Sequence, residues 1–197
     1  MEDVNYMNWV RSSGHGQALQ AYNDWVFGPE PDDTNGNPLF VNGTIDGSGE
    51  REESHTINIG DPIIVHVIGT NFCLDDKDRT GNSIDTDPKI RQAIRHCAQN
   101  EDKVVTVEFK RKQDTNWTNL TAGVEEVSLT PINFEASHSN PYLNNWDDPM
   151  KPGPHRGAWS SKLLLMRIPV AGEFELKSHG KGVPPYEQKA HFNIKVQ

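Results

Sequence analysis

The chain has 197 residues, with 28 acidic against 19 basic side chains and a formal charge of -9. That balance excludes nonspecific binding to nucleic-acid phosphates and docking on anionic lipid, both of which need a basic face. The apolar residues, 34% of the chain, gather in short runs far below the ~18 that would cross a bilayer as a helix, so we expect a loop-rich globule and no membrane insertion.

Residues 1–28 read as two short helical pieces. Val4, Met7 and Val10 share a face in the first, Leu19, Tyr22 and Val26 in the second, and Gly28-Pro29 ends it. Neither piece is long enough to be stable alone. With Trp9, Tyr22 and Trp25 they form an arm with more aromatic surface than a free tail exposes, suited to docking on the main domain, on a protein partner or on a second copy of the chain. The opening MEDVNYMNWVRSSGHG lacks the basic start and apolar stretch of a secretory signal. Residues 29–54 are rich in turn formers and acids and read as a linker, so the domain division is 1–54 for arm and linker and 55–197 for the main domain.

From residue 55 the pattern becomes regular. HTINI leads to the turn Gly60-Asp61-Pro62, and IIVHVIG is apolar on both faces, as a buried strand is. In VVTVEFKRK, Val105, Val107 and Phe109 face in while Thr106, Glu108 and Lys110 face out. VEEVSLT repeats the pattern with Val127 and Leu129. KLLLMRI is apolar on both faces and should be central. Pro169 to Gly172 forms a corner, after which Phe174 and Leu176 face in and Glu173, Glu175 and Lys177 face out. HFNIKV closes the domain with Phe192, Ile194 and Val196 inward. Six or seven strands separated by turns predict an all-β antiparallel sandwich, with one short helix in an inter-strand loop.

The order of these segments resembles an immunoglobulin-like domain over residues 55–197. The strand after Gly60-Asp61 would open the core, Gly172-Glu173-Phe174-Glu175-Leu176 would be the late strand after the corner, and the last segment would close the sheet. Phe174 stands where such domains carry a corner tyrosine, and no Cys-Trp-Cys framework is present. Cys73 and Cys97 would stabilise the fold by about 3 kcal/mol if joined; the sequence leaves pairing open.

Two stretches could hold chemistry. Counted from Asp76, oxygen-bearing side chains fall at places one, three, five, seven and twelve of a calcium loop: Asp76, Asp78, Thr80, Asn82 and Asp87, with Gly81 at the bend. Ser83 takes the place of the usual apolar anchor, and the competing reading is an acidic solvated loop. Asp87 can cap a helix beginning at Pro88, with Ile90 and Ile94 inward. The second stretch, residues 131–159, combines flat rings with amides and acids. Tyr142, Asn144, Asn145, Trp146, Asp147, Arg156 and Trp159 are its candidate ligand-binding residues, for a protein partner or a glycan. The alternative is that Trp146 and Trp159 fold back over a sheet edge.

The eight histidines show no paired metal-ligand spacing, and phosphate-loop, dinucleotide, nucleophile-elbow, zinc-protease and C-x-x-C motifs are absent. His66, on an apolar strand, reads as a satisfied core histidine. No catalytic residue is assigned. The sequence reading is therefore a non-catalytic recognition or structural module, in an extracellular or virion setting, with calcium as the one cofactor to test. A carbohydrate-binding module using the 131–159 loop and a hydrolase without a visible motif are the alternatives.

Overall fold

The computed structural model describes residues 38–43, 49–77, 80–100, 104–128, 131–136, 152–182 and 187–197. It is mostly β, two mixed sheets stacked face to face with one α-helix among the described residues. The first sheet has the order β1 (Leu39–Asn42), β3 (Pro62–Cys73), β8 (Gly153–Arg167), β6 (Glu125–Ser128), with β7 (Ile132–Ala136) also pairing β8. The second runs β2 (Glu50–Ile57), β10 (Glu187–Val196), β9 (Gly172–Lys181), β4 (Val104–Arg111), β5 (Thr118–Asn119).

The apolar faces read from the sequence meet between the sheets. Val41, Ile63, Val65, Val67, Leu164 and Met166 of the first sheet pack on Val107, Phe109, Phe174, Leu176, Phe192 and Ile194 of the second. Phe109 and Phe174 stack with centroids 5.3 Å apart. Leu163 and Leu165 alternate to the other side of β8 and are buried as well. The continuous apolar run thus belongs to a central strand covered on both faces. The chain changes sheets at the corner, β8 ending at Arg167 and β9 starting at Gly172. The turn into β3 works as its residues suggest: Gly60 has φ 80, and the Asp61 carboxylate accepts from Asn58 N at 2.8 Å.

Three features differ from the sequence reading. The sheets are not purely antiparallel: β1 runs parallel to β3, and β2 parallel to β10. Both strands fall partly or wholly inside residues 29–54, read as linker. β1 is four residues between turn formers, and β2 (EREESHTI) is too acidic to show a strand period; each is held by the edge it joins. Helix α1 begins at Asp87, not Pro88. The Thr86 carbonyl accepts from Lys89 N and Ile90 N at 3.0 Å, so Thr86 occupies the cap position and the Asp87 carboxylate is directed elsewhere. The residues 1–28 read as an arm lie outside the described residues.

α1 (Asp87–Asn100) forms a second apolar cluster with the first sheet. Ile90, Ala93 and Ile94, on one face at helical spacing, pack with Phe72 and Ala158 near the ends of β3 and β8. Against the first sheet β9 carries Gly180: a Cβ there would lie 2.2 Å from the Val67 carbonyl oxygen. That contact sits at the irregularity in β3 between His66 and Ile68.

Candidate functional site

Strand direction brings the two sequence-derived candidate stretches to one end of the first sheet. β3 ends at Cys73 opposite Gly157 of β8, so the acidic loop leaves from where the 131–159 stretch returns. The loop is closed at its base. Asp75 N donates to Ile84 O at 2.8 Å, Ile84 N to Asp76 O at 2.8 Å, and Cys73 N to the Asp76 carboxylate at 2.6 Å. Asp75 takes φ 75, a left-handed conformation that Asp tolerates. Among the proposed calcium ligands, Thr80 and Asn82 bond each other at 2.6 Å, while Asp87 lies at the start of α1 and Asp78 is outside the described residues. Among the described residues no three His, Cys, Asp or Glu side chains converge as a metal site.

The structure joins one residue from each stretch. Arg156 on β8 grips both carboxylate oxygens of Asp87, at 2.7 and 2.5 Å, and donates to Asn133 of β7 at 3.0 Å. The guanidinium holds the Asp87 carboxyl below the usual carboxylate range. Trp159 is buried, with Phe134 edge-to-face at 4.9 Å. Tyr142, Asn144, Asn145, Trp146 and Asp147 are outside the described residues. Cys73 is a free buried thiol, pushed up to about 12 by burial and by Asp76 beside it, so it is not poised as a nucleophile.

Among the described residues one serine–histidine pair is hydrogen-bonded. His66 Nε2 and Ser161 Oγ are 3.1 Å apart, and Gly69 makes the room: a Cβ there would stand 2.4 Å from the serine oxygen and 2.6 Å from the ring nitrogen. Both side chains are buried, at 5% and 3% exposure. Burial lowers the imidazole to about 3, against the Gln188 side chain beside it, which favours the charged form. An imidazole that resists protonation so strongly is a poor general base, and the partner beside it is an amide where a triad would place an acid. The pair satisfies a buried polar group in the core.

The most organised polar surface is the outer face of the second sheet. Register places Lys110, Glu175, Asn193 and Ser54 in one cross-strand row, and Glu108, Lys177, His191 and Glu52 in the next. Opposite charges therefore lie side by side on neighbouring strands. Glu175 receives Lys110 Nζ at 3.2 Å and His191 Nε2 at 3.1 Å. Burial alone would raise its carboxyl, but those two bonds outweigh it and hold it below the ordinary range. Trp117, from the turn between β4 and β5, lies against both rows, with Lys110 Nζ at 4.9 Å and Lys177 Nζ at 5.0 Å from its ring centre and His191 against it edge-on at 6.3 Å. Beside these rows is a groove of about 260 Å³, walled by Ser54, Thr56, Asn193, Lys195, Glu173 and Lys112.

No protein-family model matches the chain. No curated protein matches it either. Among solved structures, a chain from the structure of PbICP-C in complex with falcipain-2 aligns over 81% of this chain and 98% of its own, at 9% identity and a TM-score of 0.32, a likeness too slight to carry a fold.

The sequence reading placed Glu108, Lys110, Glu175 and Lys177 outward but did not join them into a surface. The alternation was visible in β4, β9 and β10; the register that aligns these with β2 as four strands, and the turn that lays Trp117 on them, were not.

Proposed function

We propose that this chain is a non-catalytic recognition or structural module with an immunoglobulin-like sandwich fold, meeting its partner through the outer face of the second sheet. The fold part is supported by topology. The order β1-β3-β8-β6 over β10-β9-β4 parallels the A-B-E-D and G-F-C sheets of such domains. The functional part is carried by one observation: Trp117, with Lys110, Lys177 and His191 packed on it, sits on an ordered charged face beside a groove. Tryptophan is among the residues that dominate binding energy at interfaces.

The test is partner binding by the full chain on arrays of extracellular and virion proteins and of glycans, for wild type and Trp117→Ala. Loss of binding with an unchanged melting temperature is expected. Binding indifferent to Trp117→Ala overturns the assigned face. Turnover in a hydrolase panel that one histidine or acid substitution abolishes overturns the non-catalytic reading.

A further inference from the structure

We infer that the groove on this face binds a single sugar ring bearing a carboxylate; the inference rests on the reading of that face as the recognition surface. Three properties of the groove select this ligand. Its volume of about 260 Å³ suits one pyranose ring with its substituents and is more than an inorganic anion fills. Its free hydrogen-bonding groups are mostly donors or hydroxyls: Lys195, Asn193, Ser54 and Thr56 line it, and none is engaged by another side chain among the described residues. Register sets Ser54 beside Asn193 and Thr56 beside Lys195, so hydroxyl, amide and ammonium stand in two adjacent rows, able to meet the hydroxyls and the carboxylate of a uronic acid at different points of its ring.

Charge decides between an acidic and a neutral sugar. Among the described residues the one carboxylate on the wall, Glu173, is bonded by Lys112 Nζ at 3.2 Å and stands opposite Lys195 in register. Two ammonium groups therefore share one carboxylate and the groove keeps one positive charge in excess, with Lys195 the ammonium that no described carboxylate contacts. A neutral sugar would leave that ammonium unanswered, whereas a carboxylate makes a charge-assisted bond with it. The chain as a whole carries -9, which repels a polyanion. The ligand is therefore an isolated acidic residue in an otherwise neutral glycan, close enough to Lys195 for local charge to outweigh the screened field of the molecule.

The experiment is a titration of the isotope-labelled full chain with D-glucuronate, D-glucose and acetate, followed by amide NMR. Glucuronate is expected to shift the Ser54, Asn193 and Lys195 amides, with glucose and acetate weaker at equal concentration. Lys195→Gln should weaken glucuronate by about tenfold, the loss of one charge-assisted bond. Lys89→Gln, on α1 and outside the groove, should leave it unchanged. Silent groove amides overturn the inference, as do equal responses to glucose and glucuronate or equal losses in the two lysine variants. Where Trp117→Ala abolishes partner binding while glucuronate leaves the groove silent, the ligand class falls and the recognition reading stands.

Discussion

Gly180 shows how a single position ties the two sheets together. The Val67 carbonyl oxygen that a Cβ would meet at 2.2 Å is main chain, so no side-chain rotation relieves the clash. Gly180→Ala should cost about 1–3 kcal/mol of stability, as overpacking does, read as a lower urea midpoint. His66 is the complementary case, a titratable group whose environment keeps it neutral. Its folded pKa is depressed to about 3 from 6.5, so the unfolded chain binds the extra proton between those values. The associated stability is complete above pH 6.5 and is lost as pH falls toward 3. The expected slope is about 1.4 kcal/mol per pH unit, and burial of the ring produces it against the opposing pull of Gln188. Urea unfolding at pH 6 and pH 5 should show this slope in wild type and lose it in His66→Leu; an unchanged slope in the variant would assign the acid sensitivity to other groups. The sequence identified His66 as a core residue, because it sits in an apolar strand. Its hydroxyl partner, 95 residues away on β8, had no local signal.

At the scale of elements, α1 is a helix whose existence was readable and whose docking was not. Asp87-Pro88 and the spacing of Ile90 and Ile94 mark the helix and its buried face. The fork from Arg156 to Asp87 fixes its first turn to β8, and Asn133 extends the link to β7. Because that pair lies at the surface, its removal should act locally rather than on global stability. Arg156→Ala should speed amide exchange in the first turns of α1 and leave β9 and β10 unchanged; uniform acceleration would argue for a global role. Ile90→Ala, inside the cluster with Phe72 and Ala158, should instead lower stability by about 2–5 kcal/mol through a core cavity. The same contrast applies to β2. Its acidic sequence hides a strand, yet Arg51, Glu53 and His55 form a linked row along it, with Glu53 bonded by Arg51 at 2.6 Å and by His55 at 2.7 Å. A charged strand at a sheet edge also resists pairing with another chain.

For the molecule as a whole, acid stability joins the separate carboxylates. Burial alone would raise Glu53 and Glu175, yet bonds to His55 and Arg51 and to Lys110 and His191 leave both below 4.5. Glu187 is held below 4.5 by Lys189 and His179. Each depressed carboxyl contributes stability that is present above its unfolded value and lost as pH falls through the folded one. The second sheet should therefore weaken below pH ~4.5, where only the lower part of the His66 window overlaps it, and 1 M salt should shrink this part of the loss by screening. Thermal melts across pH 3 to 5 at low and high salt check both points; a salt-independent acid limb would remove the ion pairs from the account.

What the sequence determined by itself is the identity of the main strands and the faces they bury. Both follow from local periodicity: Val107 and Phe109, Phe174 and Leu176, Phe192 and Ile194 alternate as they must to face a core, and Leu163 to Met166 run without alternation because both sides are covered. What only the tertiary structure decided is how strands are matched across the chain. The parallel edges β1 and β2, the Arg156–Asp87 clamp and the surface around Trp117 all depend on which residues stand opposite one another. Such matching is set by long-range register and by the direction in which each strand crosses the sandwich, and neither leaves a period in the local sequence.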